Sequence, residues 1–317
     1  MNIDNFKNKK ILITGSSGFV GKNLINKLIE LKFNNILSPS SKDLDLTNEN
    51  SVKKYFEKNK PEVVLHIAGL VGGISINKDK PAEFFYKNAM MSLLVNHYSF
   101  INNVEKLVSL AAGCGYPKNI PVPFSENDFW NGLPDMNSYG YSLAKKNLVI
   151  GSWAYNEQYN FNHTVLIPAN LYGPYDNFNL ERSHVIPALI RKFLEAKENN
   201  LKEVIVWGTG SVTREFLYVD DTVQAIIDAM SCNETGPFNL GTGKETSIKE
   251  LNETISNIIG FNGNIVWDST KPDGQPKRFY NMEKFKNSFG YVPSTSLYDG
   301  LYQTIEWYKQ NKNIVRL

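Results

Sequence analysis

The sequence predicts an α/β protein: a doubly wound parallel sheet of the Rossmann type with a smaller C-terminal α/β portion that binds substrate. Three observations predict it. Short apolar runs alternate with helical patterns through the first half of the chain. A glycine-rich turn, with Gly15, Gly18 and Gly21, lies between the first such run and the first helical pattern. At 317 residues the chain is long enough for one large α/β unit plus a smaller appended one.

Each element follows from local pattern. Residues 10–14 form an apolar run that ends at the glycines, and Val20, Leu24, Ile25, Leu28 and Ile29 then share one helix face. Residues 35–37 read as the second strand. Residues 52–59 read as a helix stopped before Pro61, and 63–68 as a buried strand. A long helix over 81–102, a strand over 106–111, a second long helix over 138–159 and a strand over 162–168 continue the alternation. From about Leu171 it weakens, and loops rich in Pro, Gly and Asn flank short helices such as 185–196. The expected division is a dinucleotide-binding domain over 1–170, with a return segment at about 215–240, and a mainly nucleotide-sugar-binding domain over 171–317.

Composition narrows the function. The formal net charge is +2 and the Lys residues are scattered among acids, so nothing calls for nucleic acid, and residues 192–202 read as a solvated face. No apolar run approaches the ~20 residues of a membrane span, and the polar first ten residues leave no room for a signal peptide. Cys114 and Cys232 lie far apart, and His66, His97, His163 and His184 show no ligand spacing. No catalytic metal and a reducing, cytoplasmic setting are expected.

The glycines form GxxGxxG between strand and helix, with Ser17, Phe19 and Val20 between and beside them. Glycine permits the tight turn and close backbone approach that set a pyrophosphate on helix N–H donors. As a bare pattern three glycines are also plain turn punctuation; the strand–turn–helix context favours a dinucleotide. The end of the second strand ordinarily carries an acid for the ribose 2′-hydroxyl. Here it reads Ser38, Pro39, Ser40, Ser41, Lys42, with no acid before Asp43. Hydroxyls and Lys42 favour NADP(H) over NAD(H), the plain alternative being that Lys42 points to solvent. Asp45 and Leu46 then lie near the adenine.

Tyr141 and Lys145 form YxxxK, which sets phenol and ammonium on one helix face. A neighbouring ammonium stabilises phenolate and lowers the tyrosine pKa, making it a usable acid or base for carbinol–ketone chemistry. Alone the pattern is common; downstream of GxxGxxG it points to a reductase.

With these residues, and with 68–74, 114–117, 170–174, 176–178, 183–187, 207–208, 214–216 and 271–274, the chain resembles the GDP-L-fucose synthase group of the extended short-chain dehydrogenase/reductase family, nearly end to end. The resemblance implies an NADP(H)-dependent enzyme acting as 3,5-epimerase and 4-reductase on a GDP-4-keto sugar in deoxysugar or heptose biosynthesis. Cys114 and His184 would shuttle the C3 and C5 protons, and Tyr141, partnered by Lys145, would protonate the C4 oxygen. Unperturbed Cys and His pKa values of about 8.5 and 6.5 suit that task; without the resemblance both read as a buried small residue and a loop histidine. It further implies cofactor contacts at Ala68, Lys145, Pro168, Asn170 and Leu171. Substrate contacts are implied at Asn170, Ser183, Val185, Lys192, Trp207, Arg214, Lys271 and Asp273, with Lys277 on the same Pro/Gly loop. Trp207 reads equally as core packing and Lys271 as a surface turn. A homodimer is implied through the two long helices. Leu93, Leu94, Tyr98, Leu143, Leu148 and Trp153 allow such a seam or packing on the chain's own sheet.

One position departs from the family. Where the resemblance calls for a Ser or Thr that hydrogen-bonds the substrate carbonyl, this chain has Ala112, followed by Gly113. Losing such a donor commonly costs about 10²–10³ in rate. An engineered change, a branch using another donor or Tyr141 alone, and a branch keeping epimerisation with weakened reduction all remain open. Beyond the reductase, the sequence also admits an epimerase or dehydrogenase with tightly held cofactor, and a non-catalytic nucleotide-sugar-binding protein.

Overall fold

A computed structural model describes residues 3–180, 183–271 and 277–316. The first part runs β1 (Ile11–Thr14), α1 (Phe19–Glu30), β2 (Ile36–Leu37), α2 (Glu49–Asn59), β3 (Val63–His66), α3 (Ile74–Asp79), α4 (Pro81–Ile101), β4 (Lys106–Leu110), α5 (Tyr139–Tyr159) and β5 (His163–Pro168). The second runs β6 (Asn170–Tyr172), α6 (Val185–Glu198), β7 (Glu203–Trp207), β8 (Thr213–Arg214), β9 (Phe216–Tyr218), α7 (Val219–Ala229), β10 (Phe238–Leu240), β11 (Thr246–Ser247), α8 (Ile248–Ile259), β12 (Asn264–Asp268), α9 (Glu283–Phe289) and α10 (Leu297–Gln310).

The main sheet has six strands in the order β10-β5-β4-β3-β1-β2, every pair parallel. β1, β3 and β4 are buried at every position, as expected of parallel strands covered by helices on both faces. Strand order reverses between β1 and β3, so the open crevice lies beyond their carboxyl ends, next to the glycine turn. β2 is only a half-exposed edge of two residues. α2 starts three residues earlier than its apolar pattern indicates, because the Asn48 side chain accepts from Ser51 N at 3.0 Å and caps it.

The C-terminal portion has no sheet of its own size. It contributes three two-stranded pieces: β6 with β9 and β7 with β12, both parallel, and β8 with β11, antiparallel. α7 packs on α1, and β10 joins the main sheet beside β5. One continuous apolar core runs from Ile13, Leu65 and Val108 through Phe193 and Leu251 to Ile305.

α4 and α5 lie side by side. The apolar set read along them divides: Leu94, Tyr98 and Leu148 are buried, Leu143 is half-buried, and Leu93 and Trp153 are exposed. Among the described residues, no helix is long and apolar enough to cross a membrane.

Candidate active site

The glycine turn is built for a group that comes close to the backbone. Gly15 adopts φ +75°, and a Cβ there would lie 2.8 Å from Ala68 Cα. A Cβ on Gly21 would collide with the Gly15 carbonyl. Gly18 donates from its N–H to that carbonyl at 3.0 Å and occupies the N-cap of α1, where no side chain caps the helix. Turn and helix end therefore fit a dinucleotide pyrophosphate. Ser17 is exposed, while Phe19 and Val20 are half-buried beside it.

At the end of β2, Ser16 Oγ donates to Pro39 O at 3.2 Å. Ser38 and Lys42 are exposed. Asp43 accepts from Ser40 Oγ at 2.6 Å and Ser40 N at 3.1 Å, bonds that hold its carboxyl below the usual range. Asp45 accepts from Thr47 Oγ1 and N, so its carboxylate shapes the lead into α2. Leu46 packs half-buried on the apolar layer under α2.

α5 carries Tyr141 and Lys145, the pair the sequence singles out. Lys145 is buried, and its ammonium donates to Ala68 O at 3.3 Å and Leu110 O at 3.1 Å, bridging the ends of β3 and β4. Burial pushes its pKa down to about 8. Tyr141, one helical turn earlier, sets its ring edge-on to Phe84 at 6.3 Å. Contrary to the lowering expected from Lys145, burial, then the neighbouring Cys114, raises its phenol pKa, so the hydroxyl is protonated at neutral pH. Asn88 pins the facing loop: it accepts from Leu70 N and donates to Leu70 O and Phe84 O.

Past β4, Ala112 is buried and extended, at φ −146° and ψ 137°, and a short 3-10 turn over Gly113–Gly115 presents Cys114. The thiol is half-buried. Burial raises its pKa, opposed by the Ser142 hydroxyl, Arg278 and Lys145. Tyr141, Lys145, Ala112 and Cys114 are thus gathered at the carboxyl ends of the strands.

A second set of candidate residues comes from β6, β9 and the start of α6. A cavity of about 90 Å³ is lined by Asn170, Leu171, His184, Val185, Ile186, Arg214 and Phe216. His184 is the N-cap of α6 and an exposed residue, although desolvation of its imidazole by the surrounding protein pushes its pKa down. Next to it, Ser183 Oγ is buried with no hydrogen-bond partner, which marks it as open to a ligand. Asn170 is held by Glu215 O, to which its Nδ2 donates at 2.9 Å, and Pro168 O accepts from Tyr280 Oη at 3.2 Å. Arg214 donates to Thr213 O at 2.7 Å.

Trp207 is 65% exposed, which rules out core packing. Lys192 and Lys271 approach its ring at 5.9 and 5.5 Å, and Lys192 also donates to Ile205 O. An aromatic face between two ammonium groups suits a base next to a diphosphate. Lys277 lies 3.5 Å from Glu245, and Asp273 falls outside the described residues. A roomier cavity of about 420 Å³, lined by Asn5, Phe6, Lys9 and Lys106 among others, sits at the amino ends of the strands and contains none of these groups.

Pattern reading along the chain passed over Glu215, Arg278 and Tyr280. Glu215 is 1% exposed, and its carboxylate accepts from the N–H groups of Thr242, Gly243 and Tyr280. Its signal was an acid between Arg214 and the buried strand β9. Arg278 and Tyr280 gave none, since they follow a Pro/Gly loop that reads as surface.

Comparison with known proteins places this geometry. The model of the NAD dependent epimerase/dehydratase family matches residues 11–241. A putative GDP-L-fucose synthase 2 of Arabidopsis thaliana is 41% identical over 308 residues, 96% of this chain and 93% of that protein. A GDP-D-glycero-L-gluco-heptose synthase of Campylobacter jejuni, solved in the presence of NADPH, superposes with a TM-score of 0.90 at 34% identity, covering 96% of this chain and 99% of that one. A GDP-mannoheptose C4 reductase of the same organism, with NADP bound, gives 0.87 at 35% identity, with coverage of 96% and 99%.

Proposed function

The chain belongs to the NAD dependent epimerase/dehydratase family, and from that premise we propose that it is an NADP(H)-dependent epimerase/reductase of a GDP-4-keto sugar. The observation that carries the reading is the gathering of Tyr141, Lys145 and Cys114 at the carboxyl end of the parallel sheet; the unpartnered Ser183 hydroxyl and a cavity lined in part by His184 support it. The relatives act on GDP-activated sugars, by their names.

When bound, NADPH supplies the hydride. The glycine turn and the start of α1 would hold its pyrophosphate, Ser38 and Lys42 would take its 2′-phosphate, and Lys145, with two N–H donors used on carbonyls, would keep the third for the ribose. Tyr141 gives its phenolic proton to the C4 oxygen. Cys114 and His184 move the protons on the carbons flanking the ketone, which that carbonyl makes acidic. Asn170 and Ser183 take sugar hydroxyls, and Trp207, Lys192, Lys271 and Arg214 take the base and diphosphate. Residues 1–170 with 215–240 serve the cofactor, and the rest mainly serves the nucleotide sugar. The exposed apolar residues Phe85, Leu93, Ile150 and Trp153 on α4 and α5 support a homodimer. Both cysteines are free, in keeping with a reducing cytoplasm.

The test is NADPH oxidation with GDP-4-keto-6-deoxymannose and with a GDP-4-keto-heptose in deuterated water, products read by NMR. Oxidation together with deuterium at C3 or C5 is expected. Tight nucleotide-sugar binding without either would overturn the enzyme reading.

A pH dependence follows from Lys145. Its ammonium, with a pKa of about 8, supports the phenolate formed at Tyr141 and is lost as pH rises through that value. kcat/KM for NADPH, which reports the free enzyme's groups, is therefore expected to be level below about 8 and to fall about tenfold per unit above it. A profile that keeps rising to high pH would contradict this role.

A further inference from the structure

Residues 277–280 reach the Cys114 turn from the sugar side of the cleft. Arg278 Nη2 donates to the Gly113 carbonyl, one residue before the thiol. The Tyr280 hydroxyl fills the space that a Cβ on Gly113 would occupy, so the turn accepts glycine there because the phenol covers it. This segment is itself clamped. Tyr280 N donates to Glu215 Oε2 at 2.8 Å, and Glu215 N donates to Arg278 O at 3.1 Å. On its other edge, Phe124 N donates to Phe279 O and Asn281 N to Phe124 O, both at 2.9 Å. The guanidinium thus arrives on a strand segment tied along both edges.

Five groups face the thiol. From α5 come the Tyr141 phenol, the Ser142 hydroxyl and the Lys145 ammonium; from the clamped segment come Arg278 and the Tyr280 phenol. Of these only Arg278 bears a charge that no ordinary pH removes. Lys145 loses its own charge near pH 8 and is already engaged by two carbonyls.

We propose that Arg278 is a positioning residue for Cys114: by holding the Gly113 carbonyl it fixes the turn that carries the thiol and sets a permanent cation beside it. The inference rests on the epimerase half of the function proposed above. In that step the Cys114 thiolate takes a proton from the carbon next to the ketone, and the C–H electron pair passes into the carbonyl as an enolate. The carbon takes a proton back from His184. Nothing is oxidised or reduced, and the cation lowers the cost of the thiolate that begins the step.

Arg278→Gln keeps a donor for the Gly113 carbonyl and removes the charge, whereas Arg278→Lys keeps the charge. Both are made in the full chain, with NADPH binding as the check on folding. The rate of Cys114 alkylation by iodoacetamide is followed against pH, with Cys114→Ser as the blank for buried Cys232. The Gln variant is expected to raise the alkylation midpoint by about one pH unit and slow the neutral-pH reaction about tenfold. The Lys variant is expected to stay near the parent. Deuterium exchange at C3 and C5 should fall by a similar factor in the Gln variant and be rescued in the Lys variant. An unmoved midpoint in Arg278→Gln, or a Lys variant shifted as far as the Gln one, overturns the proposal. If the parent shows no exchange while the midpoint still moves, the epimerase reading fails and the effect of Arg278 on the thiol stands.

Discussion

Tyr141→Phe is expected to cut NADPH oxidation by about 10²–10⁴-fold while leaving NADPH affinity and C3/C5 deuterium exchange within a few-fold of the parent. The substitution keeps the ring, its edge-on contact with Phe84 and its half-buried volume, so α5 has no packing reason to move. What it removes is one hydroxyl. Burial keeps that hydroxyl protonated at neutral pH, which is the state a reductase needs when an alkoxide develops at C4. Lys145, one turn along, is wedged between the ends of β3 and β4, and in the proposed mechanism it supports the phenolate left behind. In the proposed mechanism proton transfer at C3 and C5 instead runs through Cys114 and His184, so the two half-reactions should part company in this variant. Single-turnover NADPH absorbance and NMR of the exchanged sugar measure them separately. Reduction persisting within a few-fold would mean that another acid serves C4.

The reach of sequence reasoning follows from the range of the forces involved. β1, the glycine turn and α1 are contiguous, and burial on both faces of the sheet writes itself as an unbroken apolar run, so they are legible. The spacing of Tyr141 and Lys145 is a local helical fact and is equally legible. β6 with β9, β8 with β11 and β7 with β12 are strands of two to five residues that pair over long separations. Their pairing is set by the core they close over and leaves little periodicity to read. The division of Leu93 and Leu94 between outside and inside was hidden because α4 is apolar on both faces. Asp45 reads as lying near the adenine, and what the sequence does not show is that its carboxylate accepts from Thr47. Arg278 and Tyr280 lie more than 160 positions from Gly113, whose carbonyl Arg278 holds, and it is the clamps at Glu215 and Phe124 that make them neighbours of the thiol.

Ala112→Ser is expected to raise hydride transfer to a GDP-4-keto sugar, by up to 10²–10³-fold if no other donor has taken over the missing one, a range on the order of what one polarising hydrogen bond supplies. Ala112 follows the end of β4, two residues before Cys114 and two after the Leu110 carbonyl that holds Lys145. Its extended backbone accepts Ser or Thr without strain. Because Ala112 is already buried, serine adds an oxygen with little crowding, while the extra methyl of Ala112→Thr must displace a neighbour; serine should therefore gain more. The rival donor in this chain is Ser142, fully buried on α5 beside Tyr141 and turned to the Cys114 thiol. Ser142→Ala distinguishes the two. A gain from Ala112→Ser with no loss from Ser142→Ala makes position 112 the weak point of the reductase. No gain from the first and a large loss from the second moves the carbonyl's hydrogen bond to α5. If neither variant changes the rate, the carbonyl is activated by Tyr141 alone.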